Sequence, residues 1–64
     1  MNKIKGYRAM CHVTQREMAV QLGMSLRTYV TKEADSKEFT INQLNVIVNY
    51  LNAKGLDVTV NDLI

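Results

Sequence analysis

Two apolar-patterned stretches of this chain are separated by Gly23-Met24-Ser25 alone, and that spacing restricts the fold more than any other feature. Upstream, Met18, Ala19 and Leu22 follow Thr14 at helical spacing. Downstream, Leu26 opens a second helical stretch reaching to about residue 34. Glycine is the residue best able to take the left-handed conformation that stops a helix, and Ser25 is a good N-cap for the next one. A connection this short forces the two helices to cross at roughly 90–120°. Ala19, without bulk, is expected where they approach most closely, with Met18, Leu22 and Tyr29 facing a shared core. The first turns of the second helix then project, carrying Leu26, Arg27, Val30 and Thr31 on the outer side.

The rest of the chain carries further helix punctuation. Thr14 is followed three residues later by Glu17, Thr40 by Gln43, and Thr59 by Asp62, the spacing at which a hydroxyl and a carboxylate or amide cap a helix reciprocally. Helices are therefore expected over residues 3–11, 15–22, 26–34, 41–53 and 60–63. Ile4, Tyr7 and Cys11 share one side of the first. Leu44, Ile47, Val48 and Leu51 form the apolar stripe of the fourth, which Lys54-Gly55 closes. Residues 32–39 read as a polar connection pinned to the core through Phe39. Leu56 to Val60 alternates apolar and polar residues, which suits a short strand or a linker; the cap at Thr59 and Leu63 favour a helix after it. The expected fold is all-α: one compact five-helix domain over residues 1–64.

Size and composition exclude several classes. Sixty-four residues make one small domain with a thin stability margin, too small for a Rossmann unit, a barrel or most catalytic clefts. One Cys excludes an internal disulfide framework. No apolar stretch approaches the 18 or so residues needed to span a bilayer, and the basic start has no apolar run of signal-peptide length behind it, so the expected compartment is the cytoplasm. Cys11 and His12 are adjacent, and adjacent helix residues do not face each other. No second Cys or His completes a metal site, and a Cys–His nucleophile would lack an orienting group. No catalytic role, metal, cofactor or small-molecule ligand is expected. The net charge of +2 is weak, but it hides an asymmetry. Residues 1–32 carry six basic side chains against Glu17 alone, a net of +5, while residues 33–64 carry two against five acidic ones, a net of −3.

The segment TQREMAVQLGMSLRTYVTKE resembles the central part of the lambda Cro/repressor-type helix-turn-helix family, which includes many small phage and plasmid regulators. The likeness extends from Ile4-Lys5-Gly6-Tyr7-Arg8 through Val13 to Glu33, then Leu44, Ile47, Leu51 and the closing Val58 to Ile64. It implies a lambda-repressor-like domain whose helix-turn-helix covers about residues 15–33, with residues 26–33 as a recognition helix in the DNA major groove. It implies that Gln15 contacts a phosphate, that Leu26, Arg27 and Thr31 face base edges, and that Thr28 stands beside the backbone. It implies a structural salt bridge between Arg8 and Glu33. Lys32 departs from the pattern, standing where the family usually has an apolar or aromatic residue; its stem can cover the core edge while its ammonium reaches solvent. The stretch from Asn52 to Asp57 is longer than the commonest family form.

Chemistry ranks these positions. Arg27 can bond bidentately to guanine, and Thr31 can offer a methyl or a hydroxyl. Leu26 and Val30 suit either thymine methyl groups or a protein surface. Gln15, Arg16, Thr28, Lys5 and Lys32 are candidates for the phosphate backbone. The function expected is a sequence-specific regulator of transcription, a repressor acting as a homodimer on a pseudo-palindromic double-stranded DNA operator. Tyr50, Leu56, Val58 and Ile64 are its candidate pairing face, and the acidic half is expected to point away from DNA. The other class that fits is a protein-interaction module of the same fold, which modulates a partner repressor without reading DNA.

Overall fold

The structure, a computed structural model, describes residues 3–64; Met1 and Asn2 of the expected domain lie outside the described residues. Its helices are α1 (Lys3–Met10), α2 (Gln15–Leu22), α3 (Leu26–Ala34), α4 (Ile41–Ala53) and α5 (Val60–Leu63), with a 3-10 turn at Ser36–Glu38 between α3 and α4. The fold is all-helical, with no strand among the described residues. Its Cα radius of gyration is 10.3 Å, against about 10.7 Å expected for one compact domain of this length.

Three helices end in the same hydrogen-bonded turn. After α2, Gly23 N–H donates to the Val20 carbonyl and Met24 N–H to the Ala19 carbonyl, both at 3.1 Å. After α4, Gly55 donates to Asn52 and Leu56 to Leu51 in the same pattern. After α1, His12 donates to Ala9 and Val13 to Arg8. This is the Schellman arrangement, which needs a left-handed residue at its second-to-last position. Gly23 (φ 68°) and Gly55 (φ 97°) supply it without a Cβ clash, whereas His12 takes it at φ 57°. Helix α1 therefore stops at Met10, and Cys11 lies in the turn rather than on the helix, half-buried against the core.

The helix starts are capped by side chains. Thr40 and Gln43 form a complete reciprocal box at α4, with bonds of 3.1 and 2.9 Å. The Thr14 hydroxyl accepts from Glu17 N–H at 3.0 Å, and the Glu17 carboxylate also reaches Tyr50 of α4. At α5, the Asp62 carboxylate accepts from Thr59 N–H at 2.8 Å.

The core is built from every helix. Ile4 of α1, Met18 and Ala19 of α2, Tyr29 of α3, the α4 stripe Leu44, Ile47, Val48 and Leu51, and Leu63 of α5 are buried, together with Val13, Phe39 and Val58 from the connections. Leu22, expected in this core, is half-buried at its edge. Phe39 carries the 32–39 connection into the core, its ring 5.9 Å from that of Tyr29 and tilted by 45°. The alternating stretch after α4 is neither helix nor strand. It has no second strand to pair with, so the alternation sends Val58 fully and Leu56 partly inward, while Asn52 Oδ1 holds Val58 N–H at 3.2 Å. No helix among the described residues is long and apolar enough to cross a membrane.

Candidate nucleic-acid interface

The α2-turn-α3 unit is set locally at both ends of its connection. Gly23 stops α2, and Ser25 starts α3 by accepting from Thr28 N–H at 3.2 Å. The Ser25 hydroxyl also donates to Thr28 Oγ1 at 2.9 Å, which leaves the Thr28 hydroxyl hydrogen to donate outward. Because α3 buries Tyr29 and Glu33, the helical period leaves Arg27, Thr28, Val30 and Thr31 exposed and Leu26 half-exposed.

The expected contact residues fall into two neighbouring groups. Arg27, Thr28, Thr31 and Lys32 line one open hollow, together with Asp35 and Glu38 from the segment after α3. Lys5 of α1, Gln15 of α2 and Val30 of α3 line a second, with Glu33 and Ala34. Arg16 is exposed and belongs to neither. Two side chains in the first hollow are already engaged. The Thr31 hydroxyl donates to the Arg27 carbonyl at 3.0 Å, so toward a ligand it offers its oxygen lone pairs and its methyl. The Lys32 ammonium donates to the Glu38 carbonyl at 3.1 Å and holds the 3-10 turn against α3. Lys32 thus works first as an internal strut. The sequence expectation that the acidic half lies away from this face needs the same correction: the polypeptide turns immediately after α3 and returns Asp35 and Glu38 to its rim.

Behind α3 the Arg8–Glu33 pair is present. Arg8 Nε lies 3.2 Å from Glu33 Oε2, and Nη2 lies 3.0 Å from Oε1, a two-point grip. The third guanidinium nitrogen donates to the Val13 carbonyl at 2.8 Å, a group placed by the turn at His12. The side chains are 11% and 2% exposed. Burial acts against the Arg8 charge, but the hydrogen bond and the field of Glu33 outweigh it and raise the guanidinium above its ordinary value. The Tyr29 hydroxyl is buried nearby without a hydrogen-bond partner of normal geometry. Desolvation first, and then the Glu33 carboxylate, push its ionisation far above the usual phenol range.

A second cross-link was not legible in the sequence. The Tyr50 hydroxyl donates to Glu17 Oε2, and the Lys54 ammonium lies 3.5 Å from the same oxygen and 5.3 Å from the Tyr50 ring centre. The Tyr50 bond holds Glu17 below the usual carboxylate range. Tyr50 on α4 and Lys54 at its C-cap are four residues apart, which is a readable signal; that α2 supplies the acid between them is not. Glu17 is the one carboxylate of the basic half, and Tyr50 and Lys54 of the acidic half engage it.

The proposed pairing face is altered by packing. Val58 is 5% exposed and belongs to the core. Tyr50 and Leu56 are half-buried against that core, with the Tyr50 hydroxyl engaged by Glu17. Ile64 stays exposed; its carbonyl accepts from Lys3 Nζ at 2.9 Å. Met10, Val20 and Ile41 are apolar side chains exposed to a similar degree. Among the described residues no three His, Cys, Asp or Glu side chains are grouped to hold a metal ion. No family model, curated protein or solved structure matches the chain.

Proposed function

We propose that the chain is a sequence-specific double-stranded DNA-binding regulator of transcription, a repressor that reads a pseudo-palindromic operator as a homodimer. The observation that carries this reading is the outer face of α3. Arg27, Thr28 and Thr31 stand exposed on a helix whose opposite side is fixed by buried Tyr29 and Glu33. In this reading α3 enters the major groove. Arg27 bonds bidentately to guanine, and Thr31 accepts from an adenine or cytosine amino group or meets a thymine methyl. Val30 and Leu26 add apolar contact. The Thr28 hydroxyl, the Gln15 amide at the start of α2, Lys5 and Arg16 take the phosphates and set the register.

Size argues for two copies. The longest dimension of the domain is 26 Å, while successive major-groove faces on one side of a duplex are about 34 Å apart. One chain reaches a single half-site, and two chains related by a two-fold axis reach a palindrome.

The protein-interaction reading is favoured by one feature: exposed Val30 lines a hollow with Gln15 and Lys5, on a helix whose far end adjoins the acidic residues Asp35 and Glu38. In that reading α3 docks on a partner repressor. Selection from random duplex DNA separates the two. Enrichment of a palindromic motif, lost in Arg27→Ala while the melting curve is kept, supports DNA reading. No enriched motif, with a stable complex between this protein and a repressor, supports the other.

A further inference from the structure

The hollow beside α3 has an open volume of about 520 Å³, room enough for a phosphate or for the edge of a base. Two cations alone in such a place, Arg27 and Lys32, would make a phosphate cradle, and phosphate carries no sequence information. Two features oppose that use. The Lys32 ammonium is held by the Glu38 carbonyl. Asp35 and Glu38, both acidic and exposed, line the same hollow, beside the C-terminal end of α3, where the helix dipole is itself negative. Asp35 and Glu38 thus set two acidic residues against the two cations of the hollow at the far end of α3, while Arg27 stands near its start.

The arrangement is built rather than incidental to a loose loop. Asp35 ends α3 and starts the 3-10 turn, its carboxylate accepting from Lys37 N–H at 3.3 Å. Phe39 anchors the far side of that turn in the core. The carboxylates are thus carried on a short segment pinned at Lys32, Asp35 and Phe39.

We infer that Asp35 and Glu38 are specificity determinants of the DNA interface: a carboxylate rim that refuses phosphate at the far end of α3. Backbone contact is confined to the α2 start and the first turns of α3, and Arg27 is kept for base edges. The inference rests on the DNA reading above. It accounts for the modest total charge in functional terms, because sequence-blind affinity is what the rim removes.

The test compares wild type with Asp35→Asn/Glu38→Gln, which keeps side-chain shape and the Asp35 acceptor. Dissociation constants are measured for a duplex selected by the wild-type protein and for a scrambled duplex, at about 50 mM and about 300 mM salt. The scrambled duplex is expected to bind about threefold more tightly to the variant at the lower salt and nearly equally at the higher, as screened repulsion dictates. The selected duplex changes less, so the ratio of the two falls. Unchanged scrambled-duplex affinity overturns the inference while leaving DNA reading intact. Weakened binding to the selected duplex alone also overturns it, because the carboxylates would then be accepting from cytosine amino groups. If wild type selects no duplex, the DNA reading fails and the inference with it. Glu38→Gln alone leaves the Asp35 turn bond untouched and carries the same comparison if the double variant melts early.

Discussion

Glu33 and Glu17 tie the two halves of the sequence together in the same chemical way and in opposite surroundings. Each takes a cation from the other half: Arg8 reaches Glu33, and Lys54 reaches Glu17. Glu33 is 2% exposed and gripped at two points, whereas the Glu17 side chain is 34% exposed and shares one oxygen between Tyr50 and Lys54. The difference lies in what happens when a partner is removed. Water replaces Lys54 at Glu17 with little loss. Water cannot take the place of Arg8 at Glu33, because a buried carboxylate that loses its cation keeps much of its desolvation cost uncompensated.

The largest break in that comparison is Arg8→Met. It takes the cation from the Glu33 carboxylate and the donor from the Val13 carbonyl, and is expected to cost about 3–5 kcal/mol, a large share of the stability of a domain this small. Arg8→Met/Glu33→Leu should recover most of the loss, since a packed apolar pair can stand in for a buried ionic one. Urea unfolding of both variants decides it; equal instability would show that the charge is not the cause.

An intermediate effect belongs to Tyr29. Its ionisation lies above the ordinary phenol value of 10.0 in the folded protein, so above that pH the unfolded chain loses a proton that the native state keeps. The unfolded state then binds fewer protons, and stability must fall as pH rises, by about 1.4 kcal/mol per pH unit for one proton. Tyr50, raised by its bond to Glu17, adds to the same slope. Tyr29→Phe should remove about one proton's worth of it and leave stability near pH 7 nearly unchanged, because the lost hydroxyl has no normal partner to lose. Urea midpoints measured between about pH 9 and pH 12 give the slope; a slope that survives in Tyr29→Phe would place the effect elsewhere.

The smallest effect is expected from Lys54→Met. The exposed cluster should lose little stability, and high salt should erase the difference from wild type. The sign with pH is opposite to that of Tyr29. Glu17 is lowered from its ordinary value of 4.5, so its contribution is present above that value and is lost as pH falls through the lower folded one. A salt-independent loss in Lys54→Met would mean that the lysine stem packs rather than pairs.

The local features were legible because local chemistry decides them. Thr40 with Gln43, Ser25, Gly23 and Gly55 start or stop helices through contacts within a few residues, and the structure has those helix ends where the spacing put them. The exposure of Arg27, Val30 and Thr31 followed from one helical period once Tyr29 was assigned inward, whereas Leu26, placed with them, is only half-exposed. Positions that depended on other elements were not legible. His12 gives no composition signal for a left-handed turn, since glycine is the usual residue there. Glu17 looked like a capping residue and is a cross-link as well, because Tyr50 and Lys54 offer it a hydroxyl and an ammonium. Val58 looked available for pairing and is core, because the connection after α4 folds inward instead of leaving the domain.

The sequence by itself determined five helices, their caps, the turn at Gly23-Met24-Ser25 and a charge of opposite sign on each half, since all of these depend on residue type and short spacing. Tertiary structure alone decided where those charges meet. It buried Glu33 against Arg8, joined Glu17 to Tyr50 and Lys54, and returned Asp35 and Glu38 to the rim of α3. Coulomb forces act through space and burial sets their strength, so a tally of charges along the chain could not place them.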